Sequence, residues 1–442
     1  MNDPIKIGIA GLGTIGSGVI KNLLRNKKEL EDKYHFRFQI SGISAFNKNK
    51  VRSFDANQFT WFDNPIDLAK DTSIDLVIEL IGGESGTAYD LAIEAIKNKK
   101  GLITANKALI SSHGKELSEL SSSNNSFIGY EAAVAGGIPV IKTLRGGLIL
   151  DKINGIYGIL NGTSNFILSR MSEADKSFEE ALLEAQNLGY AESDPSFDIN
   201  GLDAAHKLSI INSLCFSEFP SLEGISVQGI ENILTLDHKY ANEFGYNIKL
   251  IGSSSNIEGS LRKEVSPTLV KINSSLGSVS NVSNVVCINT EYSGTLVLEG
   301  EGAGEGPTSS SVLSDVVDFA LDIKHHLFNK RHSELTDPVS NKNFIERCYY
   351  LRVFLADQKG AMSNLTSILG KNGISIDQVI QRGGIHLKDE KNFTPVIMLT
   401  HPIDSESIDS AFSELINTDL ISMDPIFLPV LKDNLWGFFY ER

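Results

Sequence analysis

Cysteine is scarce in this chain of 442 residues. Cys215, Cys287 and Cys348 lie far apart, with neither metal-ligand spacing nor a disulfide framework, which fits a reducing compartment. Long hydrophobic runs are missing: none approaches the roughly 20 residues needed to cross a bilayer. The opening stretch MNDPIKIGIAGLG reads directly into a strand and lacks a signal-peptide pattern. Positive charge is in deficit, with 40 Lys and Arg against 55 Asp and Glu, a net −15. That balance argues against nucleic-acid and anionic-membrane partners. Tandem repeats and low-complexity segments are absent as well. The expectation is a cytoplasmic globular protein, long enough for two or three domains and with an ordinary 41% of apolar residues.

The pattern changes twice along the chain. IKIGIAGLG, FRFQISGISAF and SIDLVIELIGG read as strands, TAYDLAIEAIKNKK as an amphipathic helix, and GLITANKALI opens with another strand. Strands alternating with helices predict an α/β, doubly wound parallel sheet. Further on, helical segments (NFILSRMSE, SFEEALLEAQNLG, GLDAAHKLSIINSLC) precede alternating stretches such as EYSGTLVLEGEGAG, predicting an α+β region. A helix over GEGPTSSSVLSDVVDFALDI leads into the polar stretch NKRHSELTDPVSNKN, which reads as a linker. From Cys348 the order is βαββαβ, a ferredoxin-like unit. The expected limits are 1–130 for the first domain, completed by about 302–328, then 131–301, a linker at 329–347, and 348–430.

Gly11, Gly13 and Gly16 stand in G-x-G-x-x-G spacing between the first strand and the helix opening with Thr14 and Ile15. The first glycine lets the strand turn, the second lets a pyrophosphate approach, and the third lets helix and sheet pack. This predicts a Rossmann-type domain binding NAD or NADP at a helix N-terminus. The alternative is a purely structural turn. Where NAD binders place an acid after the second strand, this chain has Ala45, Phe46 and Asn47, then Lys48, Lys50 and Arg52. NADP is therefore favoured over NAD, unless those cations form only a solvated loop.

In LGYAESDPSFDINGLDAAHKLSII, carboxylates crowd ahead of one lysine. A helix starting at Leu202 puts Asp203 and Lys207 one turn apart on one face, where a polar stripe becomes a buried one. The preceding turn is expected to bring Glu192 and Asp198 close. A surface ion pair is the plain alternative. A reductase has a use for such a lysine, since a carbonyl that accepts hydride also needs a proton on its oxygen. The remaining acids would suit a substrate ammonium. Lys107 follows a strand at the carboxyl edge of the first sheet, where ligands of doubly wound folds bind.

GLGTIG, TANKALI, EAAVAGGIPVI, LNGTSNFIL, GYAESDPSFDINGLDAAHKL and GEGAGEGPT stand in an order that resembles homoserine dehydrogenases over nearly all of residues 1–330. The resemblance implies NAD(P)H-dependent interconversion of L-aspartate 4-semialdehyde and L-homoserine, on the route to threonine and methionine. It implies Lys207 as proton donor, Asp203 as the acid beside it, and Glu192 as the residue for the substrate amino group with Asp198 in the same pocket. Lys107 would stand between cofactor and substrate, and Gly189 and Gly304 would line the cofactor. Glu131 with the main-chain oxygens of Val134, Gly136 and Ile138 would form a sodium site. The C-terminal unit resembles an ACT domain, whose usual effector loop would here contain Asp357, Gly360 and Ala361. That implies feedback by an amino acid such as L-threonine, and a homodimer or homotetramer. Two other readings stay open: a non-catalytic sensor of NADP and amino acid, and an oxidoreductase for another small amino acid.

Overall fold

The computed structural model describes residues 3–257, 260–338, 346–382 and 393–431. Sixteen strands among these residues fall into two sheets. The first is parallel and contains β1 (Ile5–Ala10), β2 (Phe38–Ser44), β3 (Thr60–Trp61), β4 (Leu76–Glu79), β5 (Gly101–Thr104) and β6 (Ile128–Gly129). Its order is β3-β2-β1-β4-β5-β6. The order reverses between β1 and β4, so the crevice for a ligand opens at their carboxyl ends. The strands are near-continuous apolar runs because both faces are covered. The helix Glu305–Ala320 returns late in the chain to this unit, and its Val312 and Val316 share a core with Ile7, Ile9 and Val19.

The second sheet is mixed. Its strands are β7 (Ile153–Ile159), β8 (Ile225–Val227), β9 (Tyr246–Ile257), β10 (Ser260–Lys271), β11 (Ser283–Thr290), β12 (Thr295–Glu301), β13 (Tyr349–Ala356), β14 (Ile376–Gln381), β15 (Phe393–Thr400) and β16 (Ile426–Leu431). The helices Gly162–Ala174 and Leu202–Phe216 pack Ile167, Leu168, Leu208 and Ile211 into the same core as Ile248 and Leu250 of β9.

Residues 349–431 run β13, a helix (Ala361–Lys371), β14, β15, a helix (Ser405–Ile416) and β16, in spatial order β16-β13-β15-β14. This is the ferredoxin-like arrangement of four antiparallel strands. It is not a separate sheet. β16 pairs in parallel with β10 at Leu269–Val430 and Val270–Leu431. Buried charges reinforce the seam. Arg352 lies on the Asp237 carboxylate, which also accepts from the Tyr350 hydroxyl at 2.8 Å. Arg347 grips Glu264 with both terminal guanidinium nitrogens. Part of the expected linker, residues 339–345, lies outside the described residues; its described part contains one short helical turn, His332–Glu334.

Candidate functional site

The glycine turn has the geometry its spacing predicts. Gly11 takes φ +91°, and a side chain there would strike the Leu80 carbonyl oxygen at 2.3 Å. A side chain on Gly16 would meet the Gly11 oxygen at 1.9 Å, so strand and helix are in backbone contact. Gly13 has no atom within 4 Å of where a side chain would be. It starts the helix Thr14–Arg25 with no side-chain cap, leaving that helix's first amide groups to a ligand. A cradle open at one glycine and closed at two fits a dinucleotide pyrophosphate. Gly304, at φ +111°, begins the Glu305–Ala320 helix, also without a side-chain cap. Gly189, at φ +77°, borders open space after the helix Phe178–Asn187.

No acid follows β2, and Phe46 is fully exposed. Arg52 is less available than its position suggests. Its guanidinium donates to the carbonyls of Asn47, Lys48 and Lys50 and lies 5.3 Å from the Trp61 ring, so it braces its own loop.

Asp203 is the centre of the second cluster. One oxygen lies 2.6 Å from Lys207 Nζ, and the other 2.9 Å from Lys107 Nζ. The Leu202–Phe216 helix puts Asp203 and Lys207 in one turn; Gly201, at φ +86°, and the Asn200 side chain bonded to the Leu202 N–H start it. Lys107 is the first residue of the helix Lys107–Asn124, capped by Asn106. Lys207 Nζ also donates to the Leu160 carbonyl at 2.7 Å. Asn161 Nδ2 donates to Asp198 at 2.7 Å and to Asp203 at 2.8 Å, while its oxygen caps the next helix at Ser164.

The charges shift one another strongly. Burial alone would raise the Asp203 carboxyl, but Lys207 and Lys107 outweigh it and hold it well below the usual carboxylate range. Burial lowers Lys207; Asp203 opposes this and the Lys107 charge adds to it. Burial also acts against Lys107, but Asp203 prevails and raises it. Burial raises Asp198, against the Asn161 hydrogen bond. A buried ammonium with a lowered pKa can give or take a proton near neutrality more easily than an ordinary lysine.

Glu192 departs from expectation. It is exposed, and among the described residues its carboxylate pairs with neither lysine. Its segment is anchored through Tyr190, whose carbonyl accepts from Thr163 Oγ at 2.8 Å and whose ring meets Phe166 edge-on. Asp194 is also exposed and accepts from the N–H and hydroxyl of Ser196. Sequence reasoning missed Asn161 as a bridge, although LNGTSNFIL carried the signal: an N-cap residue two positions after a strand. It also missed His206, buried beside Phe197 with Nδ1 unpartnered.

Glu131 is buried too. Its oxygens accept the N–H groups of Ile141 at 3.0 Å and Lys142 at 2.9 Å, and its own N–H donates to Asp315. Burial and Asp315 push the Glu131 carboxyl up to about 8. Ala135 and Gly136 both take positive φ, doubling the chain back against the Gly302 backbone. The Gly136 and Ile138 carbonyls each accept one hydrogen bond, from Ser311 Oγ and the Val140 N–H, leaving each oxygen a second lone pair. Carboxylate and main-chain carbonyl oxygens are the donor type a hard cation takes, although both Glu131 oxygens are here occupied by backbone N–H groups. In the C-terminal unit, Gly360 (φ +87°) precedes the helix Ala361–Lys371 and borders open space, with Asp357 exposed and Ala361 buried.

The fold and these two clusters define an oxidoreductase dependent on a nicotinamide dinucleotide. Family models for "Homoserine dehydrogenase, NAD binding domain" and "Homoserine dehydrogenase" match residues 11–131 and 139–317. The homoserine dehydrogenase of Pseudomonas aeruginosa is 37% identical, over 93% of this chain and 95% of its own length. The crystal structure of the enzyme from Thiobacillus denitrificans superposes with a TM-score of 0.89 at 35% identity, covering 97% of this chain and 99% of that one. A hyperthermophilic archaeal homoserine dehydrogenase in complex with NADPH matches 73% of this chain and all of its own, at 25% identity and a TM-score of 0.58. The chain belongs to the homoserine dehydrogenase family. Among the described residues no helix is long and apolar enough to cross a membrane.

Proposed function

We propose that this protein interconverts L-aspartate 4-semialdehyde and L-homoserine with NADP(H) in preference to NAD(H). The observation that carries the reading is Asp203 held between Lys107 and Lys207. The cofactor, when bound on the Gly11–Gly16 turn with Gly189 and Gly304 alongside, supplies hydride chemistry. Lys207 gives its proton to the aldehyde oxygen in reduction and takes it back in oxidation. Asp203 keeps Lys207 charged and aimed, and Asn161 fixes Asp203. Lys107 orients the substrate from the sheet side. Asp198 and Glu192 receive the substrate ammonium, Glu192 by a side chain that is exposed in the free protein. Glu131 with the Val134, Gly136 and Ile138 oxygens holds a sodium ion that steadies the loop between the two sheets.

The division follows function: residues 1–130 with 302–328 bind the dinucleotide, 131–301 bind substrate and pair subunits into a homodimer or homotetramer, and 348–430 form an ACT unit after the 329–347 connection. L-Threonine binds that unit at Asp357, Gly360 and Ala361, where an uncapped helix N-terminus favours its carboxylate.

The test is the absorbance of reduced nicotinamide with homoserine and each oxidised cofactor. Turnover with homoserine and a lower KM for NADP are expected. No turnover ends the substrate assignment; a clear advantage for NAD ends the cofactor preference. Threonine at millimolar levels should slow the wild type and leave Gly360→Asp unaffected; equal response of the two proteins would place the effector elsewhere.

A further inference from the structure

We propose that Glu79 is a positioning residue that ties the cofactor side of the crevice to Lys107; this rests on the reading of Lys107 as a substrate-orienting group. Glu79 ends β4 after three apolar residues and is completely buried. Packing alone would be served by a fourth apolar side chain, and burying a carboxyl group is costly unless its hydrogen bonds are made. Here they are made to both neighbouring loops. One oxygen accepts the N–H groups of Ile81 at 2.7 Å and Gly82 at 3.1 Å. The other accepts the hydroxyl of Thr104 at 2.5 Å, from the residue directly opposite on β5.

The link continues from Thr104. Its oxygen accepts the Asn106 N–H at 2.9 Å. Asn106 donates from its side chain to the Gly83 carbonyl at 2.6 Å and caps the helix that begins with Lys107. The loop after β4 is thus stitched to the loop after β5 at two points. Its other side touches the glycine turn, where Leu80 leaves no room for a side chain on Gly11. Gly82 and Gly83, at φ +88° and +86°, turn this loop through uncrowded space. A contact path therefore runs from Gly11 through Leu80, Glu79, Thr104, Asn106 and Lys107 to Asp203. A cofactor seated on the turn would settle the same loops that aim Lys107.

The test compares Thr104→Val, Thr104→Ser and Glu79→Gln in the full-length protein. Removing the hydroxyl cuts the path at one atom without disturbing the Glu79 bonds to its own loop. For Thr104→Val, kcat with homoserine should fall about tenfold to a hundredfold, as expected for misplacement near 1 Å. Its Kd for NADPH, read by cofactor fluorescence, should stay near the wild-type value. Labelling of Lys107 by an amine reagent, read by peptide mass spectrometry, should rise severalfold as its hold on Asp203 loosens. Thr104→Ser should restore kcat and the labelling level, and Glu79→Gln should fall between. A Thr104→Val protein with wild-type kcat and Lys107 labelling overturns the proposal. So does serine failing as badly as valine, which would make the site one of packing alone. If the wild type does not oxidise homoserine, the substrate reading fails, and the labelling comparison still decides the role of Glu79.

Discussion

Lys107 and Asp203 meet at 2.9 Å although one heads a helix of the parallel sheet and the other a helix packed on the mixed sheet. With Lys207 on the other oxygen, one carboxylate balances two ammonium groups. Asp203→Asn should therefore act on both lysines. Their mutual repulsion and burial would be left with Asp198 as the opposing charge, and both pKa values would fall. The alkaline limb of the reduction rate should move to lower pH, with kcat reduced. An unmoved limb would show that Asp203 does not set the charge of the donor.

Lys207→Ala should remove the proton donor while sparing the glycine turn. A loss of about a hundredfold to ten-thousandfold in kcat is expected, with NADPH binding nearly intact. Near-normal turnover would eliminate Lys207 as the general acid.

Glu131 predicts how stability depends on pH. Folded, its carboxyl is raised to about 8; unfolded, it titrates near its ordinary 4.5. A raised carboxyl holds its proton longer in the fold, so its contribution is full below 4.5 and drains away as pH rises toward 8. Asp315, raised to about 6 by burial, adds to the lower part of this window, and Lys142 and Arg145 oppose both. The melting temperature of the wild type should decline across that range, and that of Glu131→Gln should decline less. Sodium should help the wild type most at the alkaline end. Equal slopes for the two proteins would contradict this account.

Arg352→Met should leave Asp237 buried with no cation. Removing one partner of a buried pair costs about 3–5 kcal/mol, which urea unfolding would register. A change below about 1 kcal/mol would mean that Asp237 takes up a proton or reaches water at little cost.

Local signals were the legible ones. The three glycines and the spacing of Asp203 and Lys207 each depend on a single turn of chain, so their geometry is written in adjacent letters. The βαββαβ order was equally plain, because hydrophobic alternation is itself local. Glu79 and the Arg352–Asp237 pair were not legible, because each works through partners distant in sequence; of Asn161 only the cap position was readable, not its bridge to Asp198 and Asp203. Glu192 was only partly legible: the Tyr190 carbonyl ties its segment to Thr163, two residues from Asn161, but its own side chain is exposed.

The ladder between β10 and β16 gives the C-terminal unit a different standing from an appended cartridge. A chain cut short near Asn343 would bare the β10 edge at Leu269 and Val270, leave the interior Asp237 carboxylate without Arg352, and leave Glu264 with Arg262 but without Arg347. Such a fragment would tend to self-associate along that open edge. The two units are thus merged in their hydrogen-bond networks. Sequence change is tolerated best in the loops and helix ends, where residues can be exchanged without reopening the seam.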